Sequence, residues 1–486
     1  MMPLSLLSIA SEVFPLVKTG GLADVAGALP AALAAEGVQV LTFIPGYPAV
    51  LSAVGEAAIV AEYPALMGGA AVVRRAHAYG LDLLVLDAPH LFARDGNPYL
   101  GPDGKDWPDN ALRFGAFSRV AADLAGGRRG NLAVDVVQAH DWQAALTGAY
   151  LHYDPPERRP AVVTTIHNLA FQGIFPAYLL GPLGLPADAF SVDALEYYGS
   201  ISFLKAGVVF ADRITTVSPS YAAEIMTPEG GMGFEGLLAG RSSDVSGILN
   251  GIDPDIWDPA RDPHLAVPYS AADLAMRAGN KRALQSDLGL DPVPNAFLIG
   301  SVGRLTEQKG MDMLAAVLPN LIARGAQLAL LGSGDLLLEK AFGALADHYP
   351  GRVGARIGYD ESLAHRIEAG CDAFVMPSRF EPCGLTQMYA LRYGAVPIVS
   401  RVGGLADTVI DANPYALEQG VATGFQFAAG SQGALAGALE RAMSLHAEEP
   451  ENWAQLQRNG MATDSSWSVA AKQYANLFRA LVAKRA

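Results

Sequence analysis

The chain has 486 residues, of which 51% are hydrophobic, and a formal net charge of −15 at pH 7. This length exceeds one ordinary hydrophobic core, so we predict two domains of roughly 200–250 residues. The acidic charge and the lack of a Lys/Arg cluster argue against a nucleic-acid partner. A few local cations can still bind a small anion, because salt screens the distant charges.

Cysteine usage and the terminal sequence bear on location. The two cysteines, Cys371 and Cys383, are too few for a disulfide framework and favour a reducing compartment. The N-terminus has no basic segment, and Glu12 interrupts its apolar stretch, which argues against a secretory signal. Residues 161–187 lack charged side chains, but polar residues and prolines break that run before it reaches spanning length. We therefore predict a soluble, cytoplasmic protein with no membrane partner.

Short apolar runs alternate with helix-like segments along the chain, which is typical of α/β domains with parallel sheets covered by helices on both faces. The predicted strands are 4–10, 38–44, 82–87, 134–139, 161–166 and 213–217 in the first half, and 296–302, 327–332, 353–357, 372–376 and 396–400 in the second.

The predicted domains are residues 1–250 and 251–466. The segment Asn250–Trp257 and the Pro- and Asp-rich stretch 258–268 that follows it have the composition of a linker between them. A final helix within 467–486 is predicted to pack back on the N-terminal domain.

A near-duplicated motif occurs at the two ends of the chain, as Lys18-Thr-Gly-Gly-Leu-Ala-Asp24 and Arg401-Val-Gly-Gly-Leu-Ala-Asp407. In both copies a predicted strand is followed by a basic residue, two glycines and a helical segment. Glycines allow close approach of a ligand, and a helix start offers unpaired N–H groups to an anion. The motifs therefore predict two similar α/β halves facing one another across a cleft. A tight strand-to-helix turn without a ligand is the alternative for each copy.

Three cations lie just after predicted strands. Lys18 precedes Gly20 and Gly21, and Arg304 and Lys309 share the loop after strand 296–302. Cations at such positions can stabilise a negatively charged leaving group, although ordinary surface charges remain the alternative. Neither the P-loop pattern nor the dinucleotide-binding pattern is present.

Polar side chains also follow predicted strands. Asp141 and the pair His167-Asn168 end buried strands, where an acidic or polar group requires a partner or a function. Glu381 precedes Pro382, whose position fits the first turn of a helix. A carboxylate there can bind sugar hydroxyls or stabilise positive charge at an anomeric carbon. A structural histidine and a carboxylate favoured by the helix dipole are the alternatives.

The sequence gives little support for a metal site. Asp253-Pro-Asp255 matches the D-x-D pattern of metal-dependent sugar transferases, but Pro254 restricts the loop and the context is linker-like. No Cys/His cluster has zinc spacing. We therefore expect no metal.

Seven motifs occur in order along the chain: Lys18–Asp24, Ala139–Trp142, Thr165–Ala170, Leu249–Gly251, Arg304–Lys309, Ser378–Thr386 and Gly403–Thr408. Together they resemble the bacterial glycogen synthase and plant starch synthase family, and the resemblance covers essentially the whole chain. It implies the GT-B fold, with two Rossmann-like domains whose parallel sheets face across a cleft. It also implies transfer of glucose from ADP-glucose, a co-substrate, to the non-reducing end of an α-1,4-glucan such as glycogen, with retention of configuration and without a metal ion.

The resemblance also implies residue roles. Lys18, Arg304 and Lys309 would hold the diphosphate of the donor. His167 and Glu381 would contact the glucosyl group, and Asp141 would lie at the reaction centre. The other substrate-binding residues would be Gly20, Gly21, Asp24, Tyr99 (sugars), Asn168, Asn250 and Cys383 (pocket lining), Tyr359 (adenine), Gly384, Leu385 and Thr386.

Two departures from the family pattern occur, at Gln143, where many relatives have His, and at Ser465–Ser468, near the final helix. Neither departure involves a residue assigned to chemistry.

Three alternatives remain open from the sequence. A glycoside hydrolase would use two carboxylates, here Asp141 and Glu381, but would not need a phosphate site. A non-catalytic glucan-binding protein with the same fold is the second. A transferase that uses UDP-glucose is the third, because nothing in the motif spacing identifies the base.

Overall fold

The computed structural model describes residues 4–130 and 132–485, and they form two compact units. The first unit contains the described residues up to Val217, the segment Ala222–Gly251 and the described residues from Trp467 onward. The second contains Ser218–Tyr221 and Ile252–Ser466. The sequence-based division ended the first domain at residue 250 and did not separate 218–221 from it.

The main sheet of the first unit has nine strands in the order β12-β11-β7-β6-β1-β2-β5-β4-β3, parallel from β12 to β5. A small antiparallel sheet has the order β8-β10-β9. All six strands predicted for this half are present. The strands are β1 (Leu4–Ile9), β2 (Val38–Pro45), β3 (Ala58–Leu66), β4 (Gly69–Ala78), β5 (Leu81–Asp87), β6 (Val136–His140), β7 (Ala161–Ile166), β8 (Ile174–Pro176), β9 (Glu196–Tyr197), β10 (Ser200–Ser202), β11 (Arg213–Thr216) and β12 (Val245–Gly247).

Helices connect and cover these strands. Their bounds are α1 (Gly21–Ala35), α2 (Pro48–Val54), α3 (Pro89–Phe92), α4 (Asn110–Ala125), α5 (Asp141–Tyr153), α6 (Phe203–Phe210), α7 (Pro219–Glu224) and α8 (Glu235–Gly240). The predicted helix start at the first Gly-Gly pair is confirmed, since Gly20 is the N-cap of α1 and Gly21 its first residue.

The hairpin β3–β4 was not predicted. Its strands are antiparallel and joined at Met67 and Gly68, which both have positive φ angles (43° and 102°). β3 lies at the edge of the sheet and alternates buried with exposed residues, so it lacks the continuous apolar run of a central parallel strand.

The second unit contains one six-stranded parallel sheet in the order β15-β14-β13-β16-β17-β18. The five strands predicted here are present, and only the short edge strand β18 is additional. The strands are β13 (Leu298–Val302), β14 (Gln327–Gly332), β15 (Val353–Ile357), β16 (Ala373–Met376), β17 (Val396–Ser400) and β18 (Phe425–Phe427). The helices are α9 (Arg277–Asp287), α10 (Met311–Ala323), α11 (Leu336–His348), α12 (Glu361–Gly370), α13 (Thr386–Tyr393), α14 (Gly403–Thr408), α15 (Pro414–Glu418), α16 (Gln432–Glu448) and α17 (Pro450–Ala462).

One helix start was predicted wrongly. We expected a helix to begin at Pro382, but α13 begins at Thr386 with Leu385 as its N-cap. Gly384 has a φ of 74°, which interrupts the helical conformation before that point. The segment after Glu381 is therefore a loop.

The last helix, α18 (Trp467–Ala483), belongs to the first unit, as predicted. Its buried face, including Tyr474 and Phe478, packs in one cluster with Leu29 and Leu33 of α1 and with residues of the central strands. Arg485 forms an ion pair of 2.6 Å with Asp212 near the end of the chain. No helix among the described residues has the length and apolar character needed to cross a membrane.

Candidate active site

In the first unit, polar residues gather where β1, β6 and β7 end, because these parallel strands are neighbours in the sheet. Glu12, which is 3% exposed, organises the first Gly-Gly turn. Its Oε1 accepts hydrogen bonds from the Thr19 hydroxyl (2.6 Å) and the Tyr99 hydroxyl (2.5 Å). Its Oε2 accepts from the Thr19 and Gly20 N–H groups. Glu12 thus fixes the loop before α1, a role that the sequence did not assign to it.

Lys18 and Asp24, both predicted to bind substrate, form an ion pair in the structure. The Lys18 Nζ lies 2.8 Å from the Asp24 Oδ1, and the Lys18 side chain is 38% exposed. An exposed pair of this kind contributes little to stability, so an anionic ligand can compete for the ammonium group. The pair holds that group at the turn where α1 begins.

The two Gly-Gly motifs have different surroundings. A Cβ built on Gly20 or Gly21 would meet no atom within 4 Å. A Cβ on Gly403 would lie 1.9 Å from the Glu381 carbonyl oxygen, and one on Gly404 would lie 2.3 Å from the Cys383 carbonyl oxygen. The second motif therefore requires glycine for backbone packing, whereas the first leaves open space beside the start of α1.

Asp141 begins α5 in a left-handed conformation with a φ of 54°. Its Oδ1 accepts a hydrogen bond of 2.7 Å from the His167 N–H. Burial raises the pKa of the Asp141 carboxyl to about 7; the N–H groups of His167 and Asn168 oppose this rise, and the negative charge of Glu12 adds to it. The carboxyl therefore exchanges its proton near neutral pH.

Two buried histidines lie beside Asp141. The His140 Nδ1 is 2.9 Å from the His167 Nε2, and the His140 Nε2 is 3.1 Å from the Ser8 hydroxyl. Burial lowers the pKa of His140 to about 3 and that of His167 well below its usual value. Both rings are therefore neutral at neutral pH. His140 was not assigned a function from the sequence.

Asn168 and Asn250 differ in their surroundings. The Asn168 Oδ1 accepts a hydrogen bond of 3.0 Å from the Ala170 N–H and so shapes the loop after β7. Asn250 is 7% exposed, and its Oδ1 has no hydrogen-bond partner among the described residues. A buried amide oxygen without a partner is unfavourable, which makes Asn250 a candidate for ligand contact.

In the second unit, Lys309 and Glu381 come together at the carboxyl ends of β13 and β16, which are neighbours in the sheet. The Lys309 Nζ donates to the Glu381 Oε2, and the Ser378 hydroxyl donates to the same oxygen at 3.1 Å. Glu381 is 7% exposed, so these two donors replace the hydrogen bonds that water would otherwise make to its carboxyl oxygen. Arg304 is exposed and has no acidic partner among the described residues, with only Gln308 at 3.5 Å.

The predicted residues after Glu381 lie in the loop that leads to α13. Cys383 is buried, and the Gly404 N–H at the start of α14 donates to the Pro382 carbonyl oxygen at 3.1 Å. Gly384 supplies the positive φ described above. Leu385 caps α13 and Thr386 begins it, with the Thr386 hydroxyl 3.2 Å from the Met376 sulfur. The loop is thus held between α13 and α14.

Tyr359 follows β15 and is 82% exposed. Its hydroxyl donates to the Glu361 carboxylate. An exposed ring held at its polar end suits stacking against a flat ligand ring.

Within residues 4–130 and 132–485, no group of three or more His, Cys, Asp or Glu side chains is arranged to hold a metal ion. In the D-x-D segment, the Asp253 carboxylate accepts the Asp255 N–H, and the Asp255 carboxylate faces Arg261 at 3.1 Å. These two carboxylates already have partners within their own segment.

Two family models match the chain. Residues 5–240 match the starch synthase catalytic domain, and residues 290–460 match glycosyl transferases group 1. Among curated proteins, the glycogen synthases of Methylocella silvestris and Rhodopseudomonas palustris strain TIE-1 are each 58% identical over 485 residues, which is 100% of both chains. That of Acidiphilium cryptum is 56% identical over 98% of this chain and 99% of its own.

Solved structures are also similar. The catalytic domain of starch synthase IV from Arabidopsis thaliana, bound to ADP and acarbose, has a TM-score of 0.88 and 32% identity, covering 99% of this chain and 100% of that one. A sucrose-phosphate synthase from Thermosynechococcus elongatus has a TM-score of 0.61 and 19% identity, covering 99% of this chain and 100% of that one. At this low identity the similarity shows the fold alone.

Proposed function

The chain belongs to the starch and glycogen synthase family of glycosyltransferases with the GT-B fold, and from this we propose that it transfers glucose from ADP-glucose to the non-reducing end of an α-1,4-glucan such as glycogen. The observation that carries the proposal is the match, along 99% of this chain, to a starch synthase bound to ADP and acarbose. The family resemblance extends the proposal to retention of the anomeric configuration.

The leaving group of this reaction is ADP, so negative charge increases on its phosphate oxygens in the transition state. Arg304 and Lys309 stabilise that charge, and Lys18 with the open start of α1 contributes a further cation and N–H groups. The exposure of Arg304 supports its role, since no acidic neighbour among the described residues competes for its guanidinium. Glu381 orients the Lys309 ammonium group and contacts the glucosyl group.

The acceptor 4-hydroxyl attacks the anomeric carbon from the face that the phosphate leaves, and a leaving phosphate oxygen takes its proton. His167 donates a hydrogen bond to the glucosyl group, and Asp141 lies at the reaction centre. The raised pKa of Asp141 supports this placement, because strongly perturbed carboxyl groups cluster at functional sites.

We further propose that the reaction needs no metal ion, because Arg304 and Lys309 supply the positive charge that a metal would otherwise provide. The protein is proposed to act in the cytoplasm, without a nucleic-acid or membrane partner. The net charge of −15 supports the absence of a nucleic-acid partner, because a polyanion would be repelled. Both cysteines of the chain are buried, and two are too few for a disulfide framework, which supports a reducing compartment.

The experiment incubates the purified protein with glycogen and ADP-glucose, with UDP-glucose in a parallel reaction, and measures nucleotide release and chain length. We expect ADP release with chain lengthening, unchanged by EDTA. Reducing sugar without ADP would instead identify a hydrolase, and equal use of UDP-glucose would overturn the proposed donor. Loss of activity in EDTA that added Mg²⁺ restores would contradict the metal-free mechanism.

A further inference from the structure

We propose that Ser8 and His140 are positioning residues that fix the proton of His167 on its Nδ1 atom, so that this ring presents one neutral N–H donor to the glucosyl group. The inference rests on the proposed function in one respect, namely that His167 contacts the sugar. The hydrogen-bond chain itself lies entirely within the first unit.

The chain crosses three neighbouring strands. Ser8 lies on β1, His140 ends β6, and His167 follows β7, in a sheet where β6 lies between the other two. Ser8 is 4% exposed, His140 is 1% and His167 is 9%. The contacts are 3.1 Å from the Ser8 hydroxyl to the His140 Nε2 and 2.9 Å from the His140 Nδ1 to the His167 Nε2. Water is therefore largely excluded from both hydrogen bonds.

The direction of these hydrogen bonds follows from the number of available protons. A neutral imidazole has one donor and one acceptor nitrogen, and burial keeps both rings neutral. The Ser8 hydroxyl bonds to no side chain among the described residues other than His140. Its proton would have no acceptor if it did not donate to the His140 Nε2, and a buried donor without an acceptor costs about 1–3 kcal/mol.

It follows that the proton of His140 is on Nδ1, which donates to the His167 Nε2. The proton of His167 must then be on its own Nδ1. That atom forms no hydrogen bond with another residue in the described ranges, so its N–H is available to a ligand oxygen.

A neutral donor fits the chemistry of glucosyl transfer better than a charged one. Positive charge develops at the anomeric carbon as ADP leaves, and an imidazolium nearby would repel it. A neutral N–H group held in one tautomer can bind a sugar oxygen without that repulsion and without reorientation during the reaction. The adjacent carboxyl groups of Asp141 and Glu12 do not contact either ring nitrogen of His167.

The first experiment reads the tautomer directly. In protein labelled with ¹⁵N-histidine, NMR distinguishes a protonated from an unprotonated ring nitrogen, and the signals of His167 are assigned by their loss in His167→Asn. We expect Nδ1 of His167 to carry the proton at neutral pH. A proton on Nε2 would overturn the inference. This readout needs no substrate, so it remains informative if the proposed glucosyl transfer fails.

The second experiment uses variants. Ser8→Ala removes the hydroxyl that donates to His140, so neither histidine should be held in a single tautomer. We expect a several-fold fall in kcat and little change in the KM for ADP-glucose. His140→Leu should lower kcat by about 10–100-fold, as is typical when a supporting hydrogen bond is lost. His140→Asn, whose amide N–H takes the place of the Nδ1–H, should recover much of that loss. The matched control is Ser118→Ala, which removes a buried hydroxyl elsewhere in the same unit.

If His140→Asn is as impaired as His140→Leu, or if Ser8→Ala leaves both kcat and the His167 tautomer unchanged, the positioning role is wrong. Ser8→Ala should still fold, because the change is small and the Ser8 side chain makes one hydrogen bond, to His140, within the described part of the chain. Its result therefore remains informative if the His140 variants do not fold.

Discussion

Asp141 and Glu381 are both carboxyl groups that follow a buried strand, yet their partners differ in charge. Glu381 has an ammonium group and a hydroxyl as partners. Asp141 has only backbone N–H donors and no cation within ion-pair distance among the described residues. Because a buried carboxylate without a counter-ion is unfavourable, Asp141 binds its proton more tightly than usual. The two carboxyl groups are therefore suited to different tasks.

The pKa of Asp141 predicts a pH-dependent effect on stability. The folded pKa of about 7 lies above the ordinary value of 3.8. The stabilisation linked to this group is therefore fully present below pH 3.8 and is lost as the pH rises from there through about 7. Asp141→Asn removes this titration. Relative to the parent, the variant should gain about 2.5–3 kcal/mol in unfolding free energy between pH 5 and pH 8.

Urea denaturation at pH 5, 6.5 and 8 measures this difference. Asp188→Asn, at an exposed position of the same unit, is the control and should show no such trend. A stability difference between Asp141→Asn and the parent that stays constant with pH would show that the carboxyl has an ordinary pKa.

The exposed guanidinium of Arg304 is expected to affect turnover but not stability. Arg304→Ala should lower turnover by roughly 10²–10³-fold, as expected when one charge-stabilising donor is removed. It should leave the thermal midpoint unchanged, because the side chain is exposed and makes one long contact with Gln308. Steady-state kinetics and thermal unfolding measure the two effects. Arg324→Ala, at another exposed arginine of the same unit, should retain full turnover, and similar turnover in both variants would refute the role of Arg304.

At the scale of secondary-structure elements, the similar Gly-Gly motifs begin helices in both units, but their glycines serve different physical purposes. At α14 the glycines allow the loop after Glu381 to pack against the helix start. At α1 the space beside them is open, and Glu12 fixes the turn by accepting its N–H groups. Sequence similarity alone did not reveal this difference.

The difference predicts contrasting effects of the same substitution. Gly403→Ala should destabilise the protein by about 3 kcal/mol, because its φ is 41° and the new Cβ would collide with the Glu381 carbonyl. Gly20→Ala should fold normally, since the residue has an extended conformation (φ −158°) with no neighbour near the new Cβ. If this space accommodates the donor diphosphate, Gly20→Ala should nevertheless lose activity.

Denaturation curves and the affinity for ADP-glucose together test both expectations. A stable Gly403→Ala protein would contradict the packing role of the second motif. Full activity in Gly20→Ala would show that no ligand approaches the first motif closely.

Elements buried on both faces were predictable because their apolar runs are continuous, as β6 and β7 illustrate. The hairpin β3–β4 was missed because half of its side chains face solvent. The start of α13 was misplaced because proline fits a first helical turn, whereas the positive φ of Gly384 prevents a helix from beginning before Thr386.

His140 was missed because it ends a strand within an apolar run. Its register opposite Thr165 on β7 brings it near His167, and this register is a tertiary property.

At the scale of the whole molecule, the first unit is assembled from segments that are distant in sequence. Its central strands come from the first half of the chain, and α18 comes from the last 20 residues. Tyr474, Ala475 and Phe478 are each fully buried in the cluster that contains Leu29 and Leu33 of α1. The first unit is therefore incomplete until the C-terminal helix has been synthesised.

Removing part of α18 would delete many contacts at once, so a single substitution in this helix is the better test of its packing. Phe478→Ala should lower the unfolding free energy of the first unit by about 3–5 kcal/mol, as expected for removal of a buried aromatic ring. The six-stranded sheet of the second unit has no residue in this cluster and should keep its stability.

Hydrogen exchange measured by mass spectrometry resolves the two units. We expect exchange to be accelerated in β1, β6 and α1 but not in β13 and β14. Lys472→Ala, on the exposed face of the same helix, is the control. Equal acceleration in both sheets would show that the two units unfold together and that α18 stabilises the molecule as a whole.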